Sequence, residues 1–141
     1  MTTPDTSTRS VIVEKEFPHP PEKVWRALTE SSLIEQWLLK NDFQPVAGHS
    51  FRLSRDPMPN WNGVIDCQVI TVEPCRALSY TWGALGMESV VTFTLTPTDA
   101  GTHVRMEQSG FRPDQGANYK GAQYGWQRFM GNLERVVAGL E

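Results

Sequence analysis

The sequence predicts an α+β domain: a curved antiparallel sheet of about six strands wrapped around a long C-terminal helix, with two short helices after the first strand. Three observations predict it. In the closing stretch YGWQRFMGNLERVVAGLE, residues Trp126, Phe129, Leu133, Val136, Val137 and Leu140 stand three or four positions apart. That is the period of a helix with one apolar stripe. In SVVTFTLT, residues Val91, Phe93 and Leu95 alternate with threonines, and in THVRMEQ Val104 and Met106 alternate with polar residues. Successive strand side chains point to opposite faces, so this hairpin has one greasy face and one wet face. Finally, a one-faced helix and a one-faced sheet each need a partner, and each is the other's best candidate.

The totals agree with one domain. A chain of 141 residues, 39% apolar and 21% charged, is long enough for one sizeable core and resembles neither a disordered nor a coiled-coil chain. Residues 1–10 are Thr/Ser-rich and read as a flexible N-terminal tail, leaving 11–141 as the domain. The net charge is -3 and the pI about 5.6. The basic side chains are scattered among acids, so no field for nucleic acid exists. No window approaches the ~18 apolar residues of a membrane span. No signal peptide is evident, and Cys67 and Cys75 form neither a CxxC nor a disulfide framework. A cytoplasmic location with reduced thiols is the expectation.

The elements follow in order. VIVEKEF, residues 11–17, reads as a strand closed by PHPP, whose prolines suit the first turn of a helix, where a missing N–H costs nothing. EKVWRALT is then a short helix with Val24, Trp25, Ala27 and Leu28 inward. Ser31 or Ser32 caps a second helix; Ser32 and Glu35 have capping-box spacing, and Leu33, Ile34, Trp37 and Leu38 form its apolar face. FRLS, GVIDCQVITV and ALSYTW are strands, with DPMPN, EPCR and GALGM as the turns after them. In GVIDCQVITV, Ile65, Cys67 and Val69 share one parity while Ile70 and Val72 share the other, which a bulge near 69 or 70 accounts for. PTDAG is the tight connection of the hairpin. FRPDQGANYKG leads into the last helix, which starts between Asp114 and Asn118. Inside that helix Gly121, Gly125 and Gly131 each cost about 1 kcal/mol relative to alanine, which points to close approach, bending or room near its aromatic end.

That aromatic end faces a sheet offering Tyr80, Trp82, Phe93 and Met106. Large aromatics around a curved sheet often line a pocket. The candidate ligand-binding wall is Trp37, Cys67, Tyr80, Trp82, Phe93, Met106, Tyr124, Trp126 and Met130, with Tyr80, Tyr124 or the Trp126 N–H as the orienting polar tip. Each has a structural reading beside the functional one. Trp37 at helical spacing reads first as core, as does Trp25. Cys67 reads as a small buried hydrophobe rather than a reactive thiol. Trp82 and Trp126 are balanced between core and wall, and each needs an N–H partner when buried. Trp61, in PMPNWNG, is a lid, an interface anchor or a loop packing group.

Catalytic signals are missing. His19, His49 and His103 have no metal-pair spacing; His49, in a GHS turn, is the one placed to border a pocket mouth. Asp66, Glu73, Glu88 and Glu107 read as solvated charges rather than a paired-acid site. Arg105 should point outward, and Arg52 is undecided. No GxGxxG, P-loop, HExxH or GxSxG is present, and no metal or cofactor is implied.

Several stretches together carry a family resemblance: PPEKVWRALTE, Trp37, PVAGHSFRL, NGVIDCQVITVEPCRALSYTW, AGTHVRMEQSGF and GWQRFMGNLERVVAGL. They span roughly residues 10 to 141. The element order resembles the START/Bet v 1-like helix-grip superfamily, also called SRPBCC. Within it, the motifs are similar to the activator of heat-shock-protein-90 ATPase homologue family. The resemblance implies the helix-grip fold. For function it implies a range: small-molecule binders, lipid carriers, cyclases and co-chaperone domains. The leading expectation is binding of a small hydrophobic or aromatic ligand between the sheet and the C-terminal helix. One alternative is a cyclase- or hydrolase-type enzyme acting on a hydrophobic substrate in the same cavity. The other is a protein-interaction module, either a homodimer or a chaperone partner.

Overall fold

The computed structural model describes residues 9–56, 59, 62–84, 87–111 and 116–140. Its strands are β1 (Arg9–Phe17), β2 (Lys40–Asn41), β3 (Ser50–Ser54), β4 (Val64–Glu73), β5 (Ala77–Ala84), β6 (Met87–Thr98) and β7 (Gly101–Phe111). Its helices are α1 (Pro21–Thr29), α2 (Ser31–Trp37) and α3 (Gly116–Ala138). The strands form one antiparallel sheet in the order β1-β7-β6-β5-β4-β3-β2. This is the α+β helix-grip architecture. The seventh strand is the two-residue β2, which has too few residues to show a period.

β1 begins at Arg9, paired with Phe111, so the end of the stretch read as a tail belongs to the sheet. The register slips between Arg9 and Ser10 because β7 carries an extra residue, Gly110, at φ +110. That bulge turns Phe111 back into the core. β4 shows the expected bulge: its register to β5 shifts between Val69 and Thr71, leaving Ile70 exposed.

The β6–β7 hairpin turns at Gly101, φ +152, where a Cβ would stand 2.2 Å from the Phe17 carbonyl oxygen. Only glycine fits there. The Thr102 hydroxyl then donates to the His19 carbonyl at 2.7 Å, fastening the hairpin to the chain entering α1.

Pro21 opens α1 as expected. The capping of α2 differs from expectation. Its N-cap is Glu30, with no side-chain cap bond, and both serines lie inside the first turn. The Ser31 hydroxyl donates instead to Asn41 Oδ1 at 2.8 Å, and Asn41 Nδ2 returns a bond to the Ser31 carbonyl at 3.1 Å. A reciprocal partner ten residues on wins over a local cap, and it ties α2 to β2. Trp37 Nε1 donates to the Ala27 carbonyl at 2.7 Å and so locks α2 onto α1.

α3 buries Trp126, Met130, Leu133 and Val137, one stripe at helical spacing. Each buried side chain of this size contributes roughly 1.5–3 kcal/mol before entropy is subtracted. Its glycines do not make close contacts. A Cβ at Gly121 or Gly131 would meet nothing within 4 Å, and one at Gly125 would meet only Phe129 Cε2 at 3.9 Å. Close backbone approach is therefore not their reason. Trp25, expected inward, is half-buried at the edge of the core.

Candidate functional site

Cα atoms of α3 come within 8 Å of α1, α2, β1 and β7, but of no described residue in β3, β4, β5 or β6. The helix thus lies closest to β1 and β7, and it reaches β5 and β6 through side chains, Trp126 meeting Trp82 and Phe93. Aromatic side chains occupy the layer between. Phe43 and Phe51 meet edge to face at 5.0 Å, Phe51 and Tyr80 at 5.2 Å, and Tyr80 lies 6.3 Å from Phe93. Phe93 continues to Trp126 at 6.0 Å, and Trp126 to Trp82 at 5.3 Å. Trp37 meets Phe93 edge to face at 6.0 Å. Such pairs prefer edge-to-face or tilted geometry because ring faces are negative and edges positive.

Seven of the nine predicted wall residues are brought inside: Trp37, Cys67, Tyr80, Phe93, Met106, Trp126 and Met130 are all buried. Trp82 is partly buried against the same cluster. Tyr124 is the exception and corrects the expectation. It is 68% exposed, on the outer side of α3, with the Arg128 guanidinium 5.9 Å from its ring centre. Two residues along a helix are about 200° apart, so if Trp126 faces in, Tyr124 faces out.

The Trp126 N–H is also taken. Nε1 donates to Gln108 Oε1 at 2.7 Å, Gln108 Nε2 donates to Ser89 Oγ at 2.8 Å, and Ser89 Oγ donates to the Trp82 carbonyl at 3.1 Å. Gln108 is 2% exposed and Ser89 5%. This relay pins α3 to the sheet and removes the Trp126 N–H from the set of orienting tips. Gln108 is not among the candidate residues read from the sequence. The signal was present, since Gln108 continues the inward parity of Val104 and Met106.

Of the three proposed tips only Tyr80 remains. Its ring is 4% exposed, and its hydroxyl has no hydrogen-bond partner among the described residues. Burial, with a smaller contribution from Cys67, holds its pKa well above the usual phenol value. Tyr80 is therefore a donor. Cys67 lies opposite Phe51 in the sheet; burial first, then Asp66 and Asp42, pushes its thiol up to about 12. It is a packing group rather than a nucleophile.

The charged candidates lie on the wet face. Arg52, undecided from sequence, turns outward to Asp66 at 3.0 Å. Arg105 pairs with Glu107 at 2.9 Å, and His103 with Glu14 at 3.0 Å. His49 lies parallel to Phe51 with ring centres 6.4 Å apart, Nε2 at 3.1 Å from the Asp42 carbonyl oxygen. Among the described residues no cluster of His, Cys, Asp and Glu could hold a metal. Trp61 falls outside the described residues. A separate open groove of about 640 Å³ lies between α2 and α3, lined by Leu33, Gln36, Asn132, Arg135, Val136 and Leu140 among others. None of the predicted wall residues lines it.

Comparison with known proteins bears on this site. The family model described as Activator of Hsp90 ATPase homolog 1-like protein matches residues 18–138. The chain belongs to this family. Within the Activator of Hsp90 ATPase homolog 1-like fold, the chain is similar to the crystal structure of protein MLL2253 from Mesorhizobium loti. The identity is 54% and the TM-score 0.88, over 94% of this chain and 99% of that one. It is also similar to DynU16, a putative protein in the dynemicin biosynthetic locus, at 28% identity and TM-score 0.79. That match covers 92% of this chain and 47% of the other. The solution structure of BH1534 from Bacillus halodurans matches at 28% identity and TM-score 0.79, over 94% and 99% of the two chains. The comparison with curated proteins gave no match. Membership accords with hydrophobic ligand binding in general terms. Among the described residues, no helix is long and apolar enough to cross a membrane.

Proposed function

We propose that this protein binds a small hydrophobic or aromatic molecule between the sheet and α3. The observation that carries the reading is the run of aromatic side chains from Phe51 through Tyr80 and Phe93 to Trp126 in the layer between the sheet and α3. An apolar ligand entering there trades contacts with water for contacts with ring faces, at roughly 25 cal/mol per Å² of apolar surface removed from water. The wall is Trp37, Cys67, Tyr80, Trp82, Phe93, Met106, Trp126 and Met130. The setting is a cytoplasm, in keeping with two free cysteines and no disulfide among the described residues.

The test is titration with N-phenyl-1-naphthylamine, an uncharged hydrophobic dye. Saturable quenching of the tryptophan emission, with a matching rise in Tm, supports the reading. No quenching and no shift with this dye or with a panel of apolar aromatics overturns it.

One observation favours a second reading. The likeness to a protein of a biosynthetic locus suits an enzyme of the cyclase or hydrolase kind working on a hydrophobic substrate in the same place. In that case bound aromatic substrates turn over. Chromatography of an incubated mixture distinguishes a carrier, which returns its ligand unchanged, from a catalyst.

A further inference from the structure

The interior offers hydrogen bonding almost nowhere. The buried polar residues among those described are Ser79, Ser89, Thr102 and Gln108, and none is charged. Ser89 and Gln108 are consumed by the Trp126 relay, and the Thr102 hydroxyl by the His19 carbonyl. Trp37 Nε1 is held by Ala27. Ser79 directly precedes Tyr80 on β5 and so faces the opposite side of the sheet, and Tyr80 differs from the remaining four. Its ring is enclosed by Phe43, Phe51 and Phe93, and its hydroxyl finds no partner among the described residues. Among the described residues, every fully sealed side-chain nitrogen or oxygen has a partner. An unpartnered Tyr80 oxygen is therefore one that still meets open space.

From this we infer that the Tyr80 hydroxyl is the orienting hydrogen-bond donor of the site, and that it selects uncharged, mainly apolar ligands carrying an oxygen acceptor. The inference rests on the ligand-binding reading above. Its chemistry follows from what lines the layer. A phenol donor left unpaired in an apolar layer favours a guest that accepts its proton. An anionic guest has no buried cation to pair with, and desolvating an unpaired carboxylate is far more costly than desolvating a ketone. A carbonyl or ether oxygen on an apolar frame meets both conditions.

Three compounds of one shape test it: 2-acetylnaphthalene, 2-isopropylnaphthalene and 2-naphthoate, each titrated against tryptophan emission at neutral pH. In the wild type the ketone is expected to bind about three- to tenfold more tightly than the hydrocarbon, the range of one neutral hydrogen bond. The carboxylate is expected to bind weakest. Tyr80→Phe keeps the ring, so its Tm should stay close to that of the wild type. It should remove the ketone's advantage while leaving the hydrocarbon's Kd unchanged. Equal affinities for ketone and hydrocarbon in the wild type overturn the inference but leave the ligand-binding reading standing. So does a Tyr80→Phe variant that weakens both alike. Should neither the ketone nor the hydrocarbon bind at all, the ligand-binding reading falls, and this inference with it.

Discussion

Trp126 Nε1 and Gln108 Oε1 lie 2.7 Å apart, joining the middle of α3 to the inner face of β7 across an otherwise apolar layer. Gln108 stands opposite Val91 in the sheet, which brings its amide beside Ser89 on the same face. One side chain thus satisfies an indole from the helix and a hydroxyl from the neighbouring strand.

Gln108→Met should therefore be costly for a change that keeps the side chain's length. It leaves the Trp126 N–H without a partner, while Ser89 loses the bond it accepts but keeps the one it donates to the Trp82 carbonyl; an unsatisfied buried group costs about 1–3 kcal/mol. Urea unfolding should show a fall in stability of that order. Adding Trp126→Phe should cost less than the sum of the two single changes, because the stranded N–H is then gone.

The glycines of α3 and of the hairpin should behave oppositely. Gly121→Ala and Gly131→Ala meet open space and should each stabilise the helix by about 0.5–1 kcal/mol. Gly101→Ala drives a methyl into the Phe17 carbonyl and should lower Tm substantially. Thermal unfolding of the three variants checks both signs.

His103 should titrate above its ordinary value of 6.5. The main cause is its hydrogen bond to Glu14; burial acts against it, while Glu16 adds to it. Arg105, also close to Glu14, is the cation beside this cluster. A raised folded-state pKa means that the ion pair stabilises the native state below about pH 6.5 and that this contribution fades as the pH rises through the folded value. Imidazole NMR titration should place His103 above 6.5, and Glu14→Gln should bring it down. The group is more than a third exposed, so solvent screens the pair and the accompanying change in stability is small.

The two thiols should differ in reactivity. Cys67 is buried, with its pKa near 12, whereas Cys75 sits half-buried in the β4–β5 turn at φ 62. A disulfide reagent at pH 8 should modify Cys75 in the native protein and Cys67 only after unfolding. Two rapid equivalents from folded protein would contradict this placement of Cys67.

Local periods settled the layers. Alternation through Val91, Phe93 and Leu95 and through Val104 and Met106 identified the hairpin and its inner face. The phase break at Ile70 located a bulge, and the three-and-four spacing from Trp126 to Leu140 marked the helix and its buried side. These are properties of neighbouring residues, so the chain carries them before it folds. Pairings between distant elements were not readable in this way. Gln108 reaches Trp126, Asn41 outcompetes a local cap for Ser31, and Arg52 turns to Asp66. Tyr124 left the proposed wall, and Tyr80 became its sole unpaired tip among the described residues. Each outcome depends on strand register and on where α3 rests across the sheet. A hydrogen bond needs its partners within a fraction of an ångström, and hydrophobic patterning specifies a face, not a distance.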